Sequence, residues 1–152
     1  MNIQIAAIGR MKAGPERDLV ESYLKRLPWS VDLREIDDRK TATLPDGQKK
    51  EAKALLAAVP DGAYIISLDE TGKTLDSRAL SKRLSDLAAD GYNPVTFLIG
   101  GARGHGDAVK QRADLTLSFG SLTWPHMLVR VMLAEQLYRA WSISAGHPYH
   151  RD

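Results

Sequence analysis

The sequence predicts an α/β protein built on a mainly parallel sheet with helices on both faces. Short β-like runs alternate with helical ones along the whole chain. Two central runs, AYIISLD and PVTFLIGG, are apolar almost without a break, as strands buried on both faces are. Three of the runs, NIQIAAIG, PVTFLIGG and DLTLSFG, stop on glycine. Strand and helix in strict alternation imply parallel pairing with crossover helices.

Each element has its own local reason. Residues 2–9, NIQIAAIG, read as the first strand. PERDLVESYLKRL (15–27) follows as a helix: Leu19, Val20, Tyr23, Leu24 and Leu27 recur at helical spacing, and Pro15 suits its first turn. VDLREID (31–37) alternates apolar and polar residues, as a half-buried strand does. TATLPDG (41–47) is a loop, and QKKEAKALLAAV (48–59) a helix turning Ala52, Leu55, Leu56 and Val59 inward. AYIISLD (63–69) is a buried strand ended by the turn ETGKT (70–74). Asp76 or Ser77 caps a helix over 77–91 that buries Leu80, Leu84 and Leu87 and leaves through Gly91. PVTFLIGG (94–101) is a strand, DAVKQRA (107–113) a short helix, DLTLSFG (114–120) a strand, and 125–146 the last helix. No repeat, linker or low-complexity tract interrupts this order, so residues 1–152 read as a single domain.

Composition narrows the function. The chain has 152 residues, 43% hydrophobic and 26% charged, with a net charge of +2 and no cysteine. Thiolate metal sites, disulfides and cysteine nucleophiles are thereby excluded. No apolar run is long enough to span a bilayer and the start does not read as a signal peptide, so the expected setting is cytoplasmic with no membrane partner. The charge is too mild to announce nucleic acid by itself, although a dimer gathers basic side chains from two subunits.

Ligands of open parallel sheets bind outside the carboxyl ends of the strands. Three such ends carry unusual residues: Leu68-Asp69 with Gly72, Gly100-Gly101 through Gly106, and Gly120 through Pro125. Any one glycine loop is most simply a turn; three together favour a shared ligand. The glycines of GGARGHG run in the reverse order to the dinucleotide fingerprint, and no phosphate loop, serine elbow or metal motif occurs. The expected pocket therefore works with backbone amides and apolar walls, and no metal is called for. The last helix is apolar on most sides, which implies cover on most sides, either by a second subunit or as a central helix in the chain's own core. After it the chain stops on HPYHRD, an unusual density of proton-transfer and anion-binding side chains for a chain end.

The segments FLIGG, SLTWPHMLVRVMLAEQLYRAWSI and HPYHRD together resemble the SPOUT methyltransferases, and among them the RlmH family of ribosomal large-subunit pseudouridine N3-methyltransferases. The likeness covers essentially the whole length. It implies an S-adenosylmethionine-dependent homodimer with a C-terminal deep trefoil knot, acting on 23S rRNA within the assembled ribosome. The cofactor residues it implies are Leu68, Gly101, Gly120, Ser121, Leu122, Thr123, Trp124 and Pro125, on the three loops already singled out. For catalysis it implies a tail folded over the cofactor pocket, its own or the partner's. There Arg151 would meet a phosphate or the charge growing on uracil oxygens, and Tyr149 would stack on or bond to the base. Either His126 or His150 would take the proton. Arg130 and Arg139 are expected to contact RNA phosphate or to pair between subunits, and His150 is a further RNA contact. His147 with Pro148 reads as a structural turn and His105 as an exposed loop residue. Where the family has Pro-Glu-Gly this chain has Ala102-Arg103-Gly104, which leaves one rival: a dimeric RNA-binding assembly factor without catalysis.

Overall fold

The computed structural model describes all 152 residues. Strands β1 (Asn2–Ile8), β2 (Ser30–Ile36), β3 (Tyr64–Thr74), β4 (Val95–Ile99) and β5 (Leu115–Ser118) form one sheet in the order β2-β1-β4-β3-β5. Every pairing is parallel. The helices are α1 (Pro15–Arg26), α2 (Gly47–Ala57), α3 (Ser77–Ala89), α4 (Asp107–Arg112) and α5 (His126–Ala145).

Alternation along the strands divides the core into two layers. Ile3, Ile5, Val95, Phe97, Ile66 and Leu117 face α3 and α5, burying Leu80, Leu84, Leu133 and Leu137. Ala6, Ile8, Ile65 and Leu98 face the other way, onto Ala52 and Leu55 of α2 and Val109 of α4. The central strands β1, β4 and β3 are thus covered on both sides, while β2 at the edge keeps one face half-exposed, as its alternating sequence implies. Polar residues inside the second layer bond to one another: Thr96 Oγ1 donates to Gln4 Oε1 at 3.1 Å, and Gln4 Nε2 to the Ala58 carbonyl at 3.0 Å.

Of the two candidate caps, Asp76 is the one that acts, its carboxylate accepting from the Ala79 amide at 2.7 Å. One element departs from expectation. ETGKT is not a turn but the continuation of β3, which pairs with β5 on both sides of a bulge, Leu68 and Lys73 both standing opposite Leu117. Gly72 permits this, because a Cβ there would lie 2.6 Å from the Thr116 carbonyl carbon. The bulge throws Asp69, Glu70 and Thr71 out at the carboxyl edge of the sheet.

Candidate active site

The bulge of β3, the β4–α4 loop, the β5–α5 loop and the first turn of α5 enclose one cavity of about 670 Å³. That volume suits a small-molecule ligand. Its back wall needs glycine. A Cβ on Gly100 would stand 2.8 Å from the Gly104 carbonyl carbon, and one on Gly101 3.0 Å from both Ile8 Cγ2 and Glu51 Oε1. Gly120, at φ 116°, turns the chain from β5 into the third loop through a conformation that side chains resist.

Side chains tie the loops together. Thr123 Oγ1 donates to Glu70 Oε2 at 2.8 Å, and Ser118 Oγ lies 3.1 Å from the Glu70 carbonyl and 2.8 Å from that of Gly120. Gln48 Nε2 donates to the Arg103 carbonyl at 2.6 Å. The Arg103 guanidinium reaches back to the carbonyls of Leu44 and Thr41, each at 2.9 Å, so the unusual base staples the 41–47 loop to the glycine loop. Burial pushes the Asp69 carboxyl up, but bonds from the Thr71 hydroxyl and amide outweigh it and leave the pKa below the usual range, so Asp69 is a carboxylate near neutral pH.

Of the residues expected to hold a cofactor, Leu68, Gly101, Gly120, Leu122, Thr123, Trp124 and Pro125 line this cavity; Ser121 is exposed beside it. Leu122 and Trp124, 68% and 40% exposed, form its rim rather than its walls. The deeper apolar lining comes from Leu68, Ile99, Leu117 and Phe119.

His126 opens α5 at the edge of the cavity. Burial, with Arg130 adding to it, holds its pKa below the usual value against the pull of Asp38 and Glu51. The imidazole is neutral near neutral pH and free to accept a proton. His105 is not an exposed loop residue: only 4% of it meets solvent, and its Nε2 lies 3.1 Å from the Leu98 carbonyl behind the cavity. Burial lowers its pKa, and it serves as wall. Arg130 contacts neither solvent nor a second subunit. It is 2% exposed, pairs with Glu35 at 2.8 Å, and donates to the carbonyls of Ile8 and Gly9 at 2.6 Å, fixing α5 against the ends of β1 and β2.

The tail does not close over the cavity of its own chain. Tyr149 folds back along α5, its ring 4.7 Å from that of Tyr138 and its hydroxyl donating to Glu135 Oε1 at 3.0 Å. Glu135 is nine residues beyond His126, about 13 Å along the helix axis. Burial, then the bonds with Tyr23 and Glu135, raise the Tyr149 pKa, so its hydroxyl stays protonated and donates. Arg139 bonds to Glu135 on its own helix, stands over the Tyr149 ring at 4.9 Å and lies 3.1 Å from His150 Nδ1. Arg151 is exposed, and Asp152 pairs with Arg78 at 2.6 Å.

Two features suit a small cationic ligand: the close-packed glycine wall, and Glu51, a buried side chain behind Gly101 with Oε2 unpartnered. Glu51 is a functional candidate that sequence reasoning missed. The available signal was an acid four residues before Leu55, on the face of the helix that turns inward. No group of three or more His, Cys, Asp or Glu side chains is placed to hold a metal ion, and no helix is long and apolar enough to cross a membrane.

Comparison with known proteins gives a consistent result. The family model described as "Predicted SPOUT methyltransferase" matches residues 1–150. Ribosomal RNA large subunit methyltransferase H of Paramagnetospirillum magneticum is 52% identical over 151 residues, covering 99% of each chain. The proteins of that name from Rhodospirillum centenum and Rhodospirillum rubrum are 50% and 44% identical, again over 99–100% of each chain. Among solved structures, a probable methylase family protein from Haemophilus influenzae aligns with TM-score 0.57 at 8% identity, over 99% of this chain and 70% of that one. A probable methyltransferase from Bordetella pertussis aligns with TM-score 0.56 at 14% identity, over 91% and 95%. At such identities these structures speak for the fold alone.

Proposed function

This chain belongs to the SPOUT methyltransferase family, and from that premise we propose that it methylates N3 of a pseudouridine in 23S ribosomal RNA. The methyl donor is S-adenosylmethionine, and the enzyme acts as a cytoplasmic homodimer on the assembled ribosome. The observation that carries this reading is the convergence of three glycine-marked loops and His126 on one cavity. The whole-length identity to proteins named ribosomal RNA large subunit methyltransferase H supports the substrate class.

When bound, the donor supplies a methyl group on a positively charged sulfur, a good leaving group. The chain's tasks are then positioning and control of charge. Backbone at Gly100, Gly101 and Gly120 approaches the ligand closely, and Leu68, Leu117 and Phe119 exclude water around it. The neutral imidazole of His126 takes the proton from N3, which frees the lone pair that attacks the methyl carbon. In the partner's site Tyr149 gives up Glu135 and donates its one hydroxyl proton to the base, and Arg151 offsets the charge left on the uracil oxygens. Arg139 and His150, adjoining it, contact the RNA.

The tail does this work in the partner's site. In support, it lies away from its own cavity, and α5 leaves an apolar face open. Leu128 of α5 and Leu19 of the adjoining α1 are 39% and 47% exposed, and a groove of about 590 Å³ lined by Leu19, Val131 and Met132 runs to Gly120, where it meets the cavity. A two-fold partner covering that face brings each tail toward the other chain's cavity. The C-terminal third is the family's deep trefoil knot in this reading; β5 beside β3, with α5 returning over α1 and α3, is the arrangement that supports it. The non-catalytic rival rested on Arg103, whose charge is spent on the 41–44 carbonyls, and no other feature favours it.

The test is methyl transfer from labelled donor to large subunits from a strain lacking this gene, mapped by mass spectrometry. One pseudouridine gains a methyl group on assembled ribosomes, and naked rRNA gains little; no transfer to either refutes the assignment. Mixed dimers of a His126→Ala chain and a Tyr149→Phe chain test the shared site. One intact site in each mixed dimer restores activity to about half of wild type if the tail acts in trans, whereas action in cis leaves both sites dead.

A further inference from the structure

Glu51 lies behind the wall of the cavity with no ion-pair partner; the titratable group it acts on is His126 at the cavity edge, whose neutral ring does not offset it and whose pKa it pulls upward. It is 7% exposed, and its Oε2 is buried without a hydrogen bond. Its Oε1 sits against Gly101, 3.0 Å from where a Cβ would be. On the same face of α2, one turn earlier, Gln48 lines the cavity and holds the Arg103 carbonyl. The neighbouring lysines, Lys50 and Lys53, point to solvent. The two nearby arginines are engaged elsewhere, Arg103 with Thr41 and Leu44, Arg130 with Glu35, Ile8 and Gly9.

A carboxylate taken out of water without a partner destabilises a fold far more than a hydrogen-bonded one. A glutamine of the same shape would avoid that cost, so the charge is explained best by a function. A neutral uracil ring gives a poor match: an anion beside it opposes loss of the N3 proton. A cation gives a good one. We propose that Glu51 is the counter-charge for the cationic end of the methyl donor, its sulfonium or its ammonium group, reached across Gly101. This rests on the donor site proposed above and adds to it a residue that holds the donor's positive charge and, if it faces the sulfonium, distinguishes the charged donor from the spent one. S-adenosylhomocysteine has a neutral sulfur, so a carboxylate facing the sulfonium holds the donor and lets the product go. Glycine at 101 is then required by what lies behind it, because a Cβ there would press on Glu51 and Ile8.

Calorimetric titration of wild type and Glu51→Gln with S-adenosylmethionine and with S-adenosylhomocysteine decides this, alongside thermal unfolding of the ligand-free proteins. The variant should bind S-adenosylmethionine about tenfold more weakly or worse, as the loss of one charge-assisted contact implies. Its ligand-free melting temperature should match or exceed that of wild type. A smaller loss for S-adenosylhomocysteine places Glu51 at the sulfonium, and an equal loss at the ammonium. Unchanged affinity for both ligands overturns the proposal, and so does a variant that melts lower and loses both ligands together. Wild type that binds neither ligand would instead refute the donor site itself, a distinguishable failure.

Discussion

His126 and Arg130 sit one turn apart on α5 and do opposite things. Arg130 is structural, its charge paired with Glu35 and two carbonyls. Glu35→Ala should cost about 3 kcal/mol in denaturant unfolding, because it strands a buried guanidinium. His126 is the base. Its pKa in the folded chain lies below the ordinary value of about 6.5. The unfolded chain therefore binds the proton more readily, and stability falls as pH drops below the ordinary value toward the folded one. Activity follows the same group: kcat/KM should fall on acidification with a midpoint below about 6.5. His126→Ala should lower the rate near neutral pH and abolish that limb, as a pH–rate profile would record. At this scale the sequence was legible where a residue's neighbours are local. His126 follows directly on the third loop, so its place at the cavity edge could be read. His105, Arg130 and Glu51 were not legible, since their burial depends on how α2 and α5 dock on distant strands.

The elements are where sequence reading did best. Helical spacing and strand alternation are properties of neighbouring residues, and they located all ten elements. ETGKT failed for a physical reason: glycine marks turns and bulges alike, and only the second pairing with β5 distinguishes them. The glycine wall is the element on which function depends. Gly101→Ala pushes a methyl against Ile8 and Glu51, so donor affinity should drop in calorimetry while the circular dichroism spectrum is unchanged. Asp76→Ala, remote from the cavity, should cost about 1 kcal/mol in thermal unfolding by removing the α3 cap and leave donor affinity intact.

For the whole molecule, the sequence implied a parallel sheet but not the order β2-β1-β4-β3-β5, which depends on pairings between strands far apart in the chain. That order gathers the ends of β3, β4 and β5 into one cavity. In the proposed dimer the tail serves the second subunit's cavity. Deleting Tyr149 to Asp152 removes an exposed ion pair with Arg78 that contributes little stability, and with it the packing of the half-buried Tyr149 ring on Tyr138 and its bond to Glu135, so the truncated chain should melt somewhat lower. The truncated protein should remain folded and dimeric in sedimentation yet transfer no methyl group to ribosomes. The claim beneath all of this is that the three loops hold the donor, and a crystal structure of the dimer with S-adenosylmethionine tests it most directly. The account predicts density for the donor between Leu68, Gly101 and Gly120, with the partner's Tyr149 over it; donor density elsewhere, with that cavity filled only by solvent, would contradict it.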